Sequence, residues 1–546
     1  MTNPYRVLAV DDEEFNLLLL EACLPADRFW LTSCRDGQSA LAEFKRGTFD
    51  VILLDILMEG IDGFEVRQLI RERNKKVPII FLTSLLDDID SSLVNRITAD
   101  PYSYYMNKSF SKKMLLEKIE QVVATYREVD ASDCLYRRIE DDLELAGGVQ
   151  KILLPPWCGS SDQLLYSYCY EPNFKVSGDV FQVSRIDARH CFFLIGDIAG
   201  HGIQAALYMT ALQAFLKLLL ADFGRQVLRP HIIMNRINEF FRNDLHGENY
   251  MTCLIGIFDF SRNTLELHNA GHPGLLVCSP SDGSVREVNP ERRGSIPIGW
   301  RGGNPYLESE NVRFHFENDD IFLGYTDGLF DLCRSEDERS LDQETFLKLF
   351  GSLGSQAHPA SIPFQLRSAL EQIGYQIAPD DVFIVAMQKR RGRTGSFVRY
   401  LQPRTSDVSR MVGEAAAFVQ KETGNSDAAT RCELLLSEFL NNIVLHGFEG
   451  ARQTCAGILI EVRVRADRVL ISVLDRGRQW GIDPKLQKRA TAVLESLNDS
   501  RSVSGRGMPI ILQIASTVSR KRYRSMNETD FTVKLSEEKA KSSVRK

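Results

Sequence analysis

The chain has 546 residues, too many for one hydrophobic core and enough for three or four domains. With 44% hydrophobic and 25% charged residues it has the make-up of ordinary globular protein, which excludes wholesale disorder and fibrous repeats. Its 66 basic and 73 acidic side chains leave a formal charge of −7, the wrong balance for gripping nucleic acid by its phosphates. The 11 cysteines form no C-x-x-C pair, which suits reduced thiols in a cytoplasm and argues against a cysteine metal cluster. MTNPYRVLAVDDEE enters a strand-like run without the basic region and cleavage site of a signal peptide. The apolar stretch from Ile203 to Phe223 is broken by Gln204, Thr210, Gln213 and Lys217 and reads as a buried helix, so no membrane partner is expected.

In chain order, the first 125 residues alternate apolar runs with amphipathic segments: YRVLAV, FNLLLLEACL, DVILLDIL, GFEVRQLIRE, VPIIFLTS. That alternation predicts an α/β doubly wound, flavodoxin-like sheet over residues 1–125. Residues 126–155 read as a connecting helix, interrupted or kinked near Gly147-Gly148 and stopped by a proline pair. Residues 156–390 mix short strands with two long helical stretches, an α+β layered domain. The basic run KRRGRTG opens a linker placed at 391–404. A last α/β domain follows over 405–537, with a lysine-rich tail over 538–546.

Three groups of residues carry chemistry. In the first, Asp11 and Asp12 close the first strand, Asp55 the third and Thr83 the fourth, and Lys108 follows the fifth. Strand C-termini of a doubly wound sheet converge in one crevice. Three carboxylates there imply Mg²⁺ on Asp11, Asp12 and Asp55, with Asp55 placed to become an aspartyl phosphate and Lys108 and Thr83 to contact its oxygens. Any one acidic residue could be a turn cap; five in order are not explained that way. The set resembles the receiver domain of bacterial response regulators. That resemblance makes Tyr105 the aromatic switch residue and implies an upstream sensor histidine kinase. Ser109 stands where that family usually has proline, which removes the reason for a cis peptide there.

The second group is SGDVFQV (Asp179), IGDIAGHG (Asp197), GYTDGLFD (Asp327) and PDDVFIVAM (Asp380, Asp381). Aspartates beside glycines at strand ends imply Mg²⁺ or Mn²⁺, and two such ions can bind phosphate and activate water for in-line attack. With NAGHP and ELAGGVQKILLP, these motifs resemble the SpoIIE/RsbU branch of PP2C-type serine/threonine phosphatases, a β-sandwich flanked by helices. The resemblance implies that Asp197 bridges both metals, Asp179 and the Ile198 carbonyl serve one, and Asp327 and Asp380 the other. Asp381 would stand behind them. His201 either orients substrate or a metal-bound water, or only satisfies backbone groups in its glycine-rich turn, and the two readings are equally open.

The third group begins with SEFLNNIVLHG, where Glu438 and Asn442 are four apart on one helix face. VLDRGRQWG (Asp475, Gly477) and SGRGMPII (Gly505, Gly507) follow. Asp475 can accept the adenine amine, Asn442 can face Mg²⁺, the glycines admit phosphates, and Glu438 can act as general base toward a serine hydroxyl. The boxes resemble the GHKL ATPase fold of the RsbW/SpoIIAB serine kinases, an α/β sandwich, which would make residues 482–504 the ATP lid. His446 is expected to pack.

Taken together, the three resemble the HsbR/CrsR type of partner-switching response regulator. That implies ATP, a STAS-domain anti-sigma-factor antagonist as common substrate, and phosphorylation of Asp55 acting through the connecting helix. A sigma or anti-sigma factor is a further candidate partner, and a homodimer is allowed. The alternative is a C-terminal domain that mainly sequesters a sigma subunit, leaving the phosphatase as the working enzyme.

Overall fold

The computed structural model describes residues 4–83, 91–161, 163–200, 202–222, 229–245, 249–288, 295–300, 304–390, 395–448, 457–478 and 507–535. The chain forms two compact units, Met1–Asp142 and Leu143–Lys546.

In the first unit, strands β1 (Tyr5–Val10), β2 (Phe29–Cys34), β3 (Val51–Asp55), β4 (Ile79–Thr83) and β5 (Ser103–Asn107) alternate with helices α1 (Glu14–Cys23), α2 (Gly37–Arg46), α3 (Gly63–Arg71) and α4 (Ser91–Thr98). The sheet order is β2-β1-β3-β4-β5, all pairs parallel. Every residue of β3 and β4 is buried, as strands covered by helices on both faces must be. This is the doubly wound fold that the apolar runs predict. Asp62 and Glu65 form a capping box that starts α3 directly after the β3 loop.

Helix α5 (Lys112–Leu153) is continuous, so the interruption expected near Gly147-Gly148 is absent. The glycine serves contact instead: a Cβ on Gly147 would lie 2.0 Å from the Lys175 carbonyl oxygen. Only a bare backbone lets the helix approach the 172–178 loop so closely.

The second unit contains two facing antiparallel sheets. Strands β6 (Cys158–Ser160), β7 (Leu164–Glu171), β8 (Asp179–Arg185) and β9 (His190–Ile198) precede helices α6 (Ile203–Asp222) and α7 (Pro230–Asn243). Next come β10 (Met251–Asp259), β11 (Thr264–Ala270), β12 (Leu276–Ser279), β13 (Ser284–Glu287), β14 (Val312–His315), β15 (Ile321–Tyr325) and β16 (Cys333–Arg334). Helices α8 (Gln343–Gln356) and α9 (Ile362–Gln372), then β17 (Tyr375–Ile377) and β18 (Val382–Lys389), complete this part. The sheets run β14-β11-β10-β9-β8 and β13-β12-β15-β18-β7-β6. Their inner faces meet through rings such as Phe181 against Phe383 and Phe258 against Phe322. Among the described residues this part holds four α-helices where two long helical stretches were expected. Helix α6 is apolar and long enough to cross a membrane by composition, yet it packs Ala205, Met209, Leu212 and Leu216 into this core.

A third layer follows: β19 (Ser396–Leu401), α10 (Thr405–Thr423), α11 (Ser426–Asn442), β20 (Ile458–Val464), β21 (Arg468–Asp475), α12 (Gly507–Ile514), β22 (Thr517–Tyr523) and β23 (Met526–Lys534), in a sheet ordered β19-β20-β21-β23-β22. The segment read as linker, 391–404, thus contains an edge strand paired with β20. Lys389 and Arg390 are half-buried and bonded to the domain before them: Lys389 Nζ donates to the Phe260 carbonyl (3.0 Å) and Arg390 Nη1 to Ser160 Oγ (2.8 Å). One face of this sheet packs on α10 and α11. From the other, Val398, Leu459, Leu474 and Met526 join the core of the sandwich. The proposed tail lies outside the described residues.

Candidate active sites

In the first unit the carboxylates of Asp11, Asp12 and Asp55 each bring an oxygen within 4.8 Å of the others. Lys108 Nζ stands 2.9 Å from both Asp11 Oδ2 and Asp55 Oδ2. Asp11 Oδ1 is held by the Glu13 amide and Asn16 Nδ2, and Asp55 Oδ1 accepts from the Ile56 amide at 2.8 Å. Burial pushes the Asp55 carboxyl above its ordinary range, against the pull of the Lys108 ammonium. Three carboxylates and one ammonium leave a deficit of two charges among hard oxygen donors, which fits a divalent cation. Thr83 is buried at the end of β4, where its carbonyl accepts from the Lys108 amide at 2.8 Å. Tyr105 is 38% exposed on β5. Ser109 follows Lys108 through a trans bond, its amide donating to Asn107 Oδ1 at 2.8 Å.

In the sandwich, Asp179 opens β8 directly opposite Asp197 on β9. Asp327 begins a single 3₁₀ turn after β15, and Asp380 and Asp381 immediately precede β18, which pairs with β15. A Cβ on Gly328 would lie 2.1 Å from the Asp381 carbonyl oxygen, so the bare glycine lets these two loops close on one another. Burial, then the charges of Asp197, Asp381, Asp327 and Asp380, raises the Asp179 carboxyl well above its usual range. Burial followed by Asp327, Asp380 and Asp381 pushes Asp197 up to about 8. The principal charged influences on both are other aspartates, the electrostatic condition that bound cations relieve. These carboxylates come from the ends of four strands, β8, β9, β15 and β18, a wider set than the tight triad of the first unit and one whose oxygen donors suit hard divalent cations. Ile198 lies beside them, its amide donating to the Gly178 carbonyl at 3.3 Å. His201 lies outside the described residues.

In the third layer Glu438 and Asn442 lie on α11, half-buried and one turn apart. Asp475 closes β21, 1% exposed; its Oδ1 accepts from the Gly477 amide (2.8 Å) and Asn527 Nδ2 (2.9 Å). Its Oδ2 is buried without a hydrogen-bond partner among the described residues. A buried acceptor in that state costs stability until a donor arrives, and an adenine amine is such a donor. Gly477 lies against Gly447, where a Cβ would meet the Gly447 carbonyl oxygen at 3.0 Å. Gly507 opens α12, whereas Gly505 and residues 482–504 fall outside the described residues. His446 is exposed rather than packed, because the chain leaves α11 through a widened π-helical turn, Ile443–Gly447.

Three protein-family models match in succession: response regulator receiver domain over residues 7–120, Stage II sporulation protein E (SpoIIE) over 187–390, and histidine kinase-like ATPase domain over 401–534. The chain joins these three domains in that order. Its receiver part is similar to the sensory transduction protein RegX3 of Mycobacterium tuberculosis, 34% identical over 143 residues, which cover 26% of this chain and 56% of that one. The SpoIIE-type part is similar to the phosphoserine phosphatase RsbP of Bacillus subtilis, 29% identical over 197 residues, 35% of this chain and 45% of that one. The chain thus spans about half the length of these curated relatives. A solved structure of the RsbU and RsbW domains of Rv1364c from Mycobacterium tuberculosis is matched at 21% identity over 70% of this chain and 97% of that one, with a TM-score of 0.37.

Several supporting residues in the SpoIIE-type domain escape a reading of motifs. Thr326 Oγ1 donates to Asp179 Oδ2 at 3.3 Å. The Asn173 amide donates to Asp381 Oδ1 at 2.7 Å. Gln150, near the end of α5, donates to the carbonyls of Ser177 and Ala206 and accepts from the Ser177 amide, while Ser177 Oγ accepts from the Asp179 amide. Gln150 sits in VQKILLP and Thr326 in YTDG, within stretches already singled out, and could have been found there; Asn173 carries no such signal.

Proposed function

We propose that this chain is a partner-switching response regulator that dephosphorylates a serine or threonine of a STAS-domain anti-sigma-factor antagonist and, through its C-terminal domain, phosphorylates it. An upstream sensor histidine kinase loads Asp55, and that event selects between the two activities through the connecting helix. The cytoplasm is the setting, and a sigma or anti-sigma factor is the further partner. The observation that carries the reading is the aspartate cluster of the sandwich, where Asp179 and Asp197 have mainly other aspartates as charged neighbours.

Mg²⁺ or Mn²⁺ bound there supplies Lewis acidity toward phosphate and an activated water. Asp197 would be shared between the two ions, Asp179 and the Ile198 carbonyl would hold one, and Asp327 and Asp380 would hold the other. Thr326 orients Asp179 through its hydroxyl, and the Asn173 amide fixes Asp381 behind Asp380. In the C-terminal domain, Asp475 Oδ2 receives the adenine amine of ATP, Asn442 faces its Mg²⁺, and Gly477, Gly505 and Gly507 let backbone approach the nucleotide. Glu438 takes the proton of the substrate hydroxyl.

The test uses the full chain, labelled ATP with Mg²⁺ and a candidate STAS-domain partner, followed by nucleotide removal and addition of Mn²⁺. Label gained and then lost is the expected result. ATP binding without labelling would leave the C-terminal domain as a sequestering module, and label that persists in Mn²⁺ would overturn the phosphatase.

A further inference from the structure

The SpoIIE-type and ATPase domains meet at an ion-pair cluster that neither catalytic site uses. Glu171, the last residue of β7, accepts from Arg367 Nε of α9 at 2.9 Å and from Arg524 Nε of the ATPase domain at 2.8 Å. Arg524 Nη1 reaches Glu371 Oε1 at 3.0 Å. Arg367 is 1% exposed and also donates to the Tyr375 carbonyl. The two guanidinium groups overcome the burial that would raise the Glu171 carboxyl, holding it below its usual range.

Arg524 occupies the two-residue turn between β22 and β23 with a left-handed backbone, φ 52°. Glycine or asparagine adopts that conformation at less cost, so the turn keeps a strained arginine where its side chain clasps Glu171.

From this clasp, two residues of backbone on each side and then hydrogen bonds lead toward both sites. Toward the nucleotide side, Arg522 Nη1 donates to Asn527 Oδ1 (2.8 Å) and to the Gly477 carbonyl (3.1 Å). Asn527 Nδ2 donates to Asp475 Oδ1, and Arg476 Nη2 donates to Ser525 Oγ in the turn itself at 3.1 Å. The hairpin is therefore tied at three points to the 475–478 segment. On the phosphatase side, Asn173 stands two residues beyond Glu171; its amide holds Asp381 and its side chain bonds the Pro379 carbonyl. The same loop continues through Ser177 to Asp179.

We infer that the Arg524–Glu171 clasp couples the two sites: nucleotide occupancy at Asp475 sets the rigidity of the 172–178 and 379–382 loops and so the readiness of the phosphatase aspartates to hold divalent cations. Arg524 is a positioning residue, supplied to the phosphatase by the ATPase domain. The coupling is reciprocal, so cation binding changes nucleotide affinity by the same factor. This inference rests on the nucleotide and metal readings proposed above.

The experiment is hydrogen exchange of the full chain in saturating Mn²⁺, with and without ADP. Mn²⁺ binding is followed by electron paramagnetic resonance before nucleotide is added, and ADP binding by calorimetry. In the native chain ADP is expected to slow exchange of peptides 172–178 and 379–382 about fivefold, the lower end of usual couplings. Arg524→Ala and the near-isosteric Glu171→Gln should each still bind ADP but lose that response. A response that persists in both variants, or native protein that binds both ligands with no change in these peptides, overturns the coupling and leaves the two sites standing. Failure of ADP or Mn²⁺ to bind overturns the reading of the sites and the coupling with it.

Discussion

Asp197 illustrates how one carboxylate can be a liability before it is a ligand. Burial and neighbouring aspartates push it up to about 8 in the folded chain, from an ordinary value of 3.8. The folded state therefore binds a proton that the unfolded chain has already released, and metal-free stability falls as pH rises from about 4 through about 8. In chelator, the native protein is expected to lose several degrees of Tm between about pH 5 and pH 8, and Asp197→Asn to lose clearly less. Parallel curves would mean that the repulsion is relieved within the fold. With Mn²⁺ the order reverses, because the native site gains binding energy that the variant forfeits. Phosphatase turnover should drop to background in Asp197→Asn, and a native rate would reject its bridging role.

At the scale of single elements, α5 and α11 put different sequence signals to use. Helix α11 presents Glu438 and Asn442 by its 3.6-residue period, so their common face was legible in SEFLNN. Glu438→Gln is expected to slow phosphoryl transfer about a hundredfold or more while ATP binding stays near native; weakened ATP affinity with unchanged turnover would move Glu438 from proton transfer to nucleotide binding. Helix α5 was legible near its C-terminal end but not in its full length or continuity: it begins at Lys112, well before the connecting helix expected at 126–155, and Gly147-Gly148 reads as a break until the loop packed against it is known. Alanine normally favours a helix interior over glycine by about 1 kcal/mol. At position 147 its Cβ would meet the Lys175 carbonyl oxygen at 2.0 Å, so Gly147→Ala should instead lower stability by about 1–3 kcal/mol. It should also weaken Mn²⁺ binding, since Lys175 belongs to the loop that delivers Asp179. A rise in Tm with native Mn²⁺ affinity would show that the loop yields freely.

Across the whole molecule, what sequence conveys well is where aspartates fall on strand ends; what it conveys poorly is which faces two domains share. Strand β19 was missed because both of its faces are covered. Phe397 points to the α10–α11 core and Val398 to the sandwich, which erases the alternation by which a half-exposed strand is read. Glu171 and Arg524 are 353 residues apart, and each alone looks like a surface charge. The shared face has a consequence for dissection. Residues 396–546 alone would expose Val398, Leu459, Leu474 and Met526, all 4% exposed or less in the intact unit, and each such side chain loses about 1.5–3 kcal/mol of burial. That is comparable with the whole stability of a domain. The 396–546 fragment should accordingly melt at least ten degrees below the 143–546 unit or associate through that face, as calorimetry and sedimentation would reveal. Replacing Leu459 and Val398 with threonine should improve the solubility of the fragment and destabilise the larger unit. Equal Tm values for fragment and unit, both monomeric, would mean that the two domains touch without depending on one another.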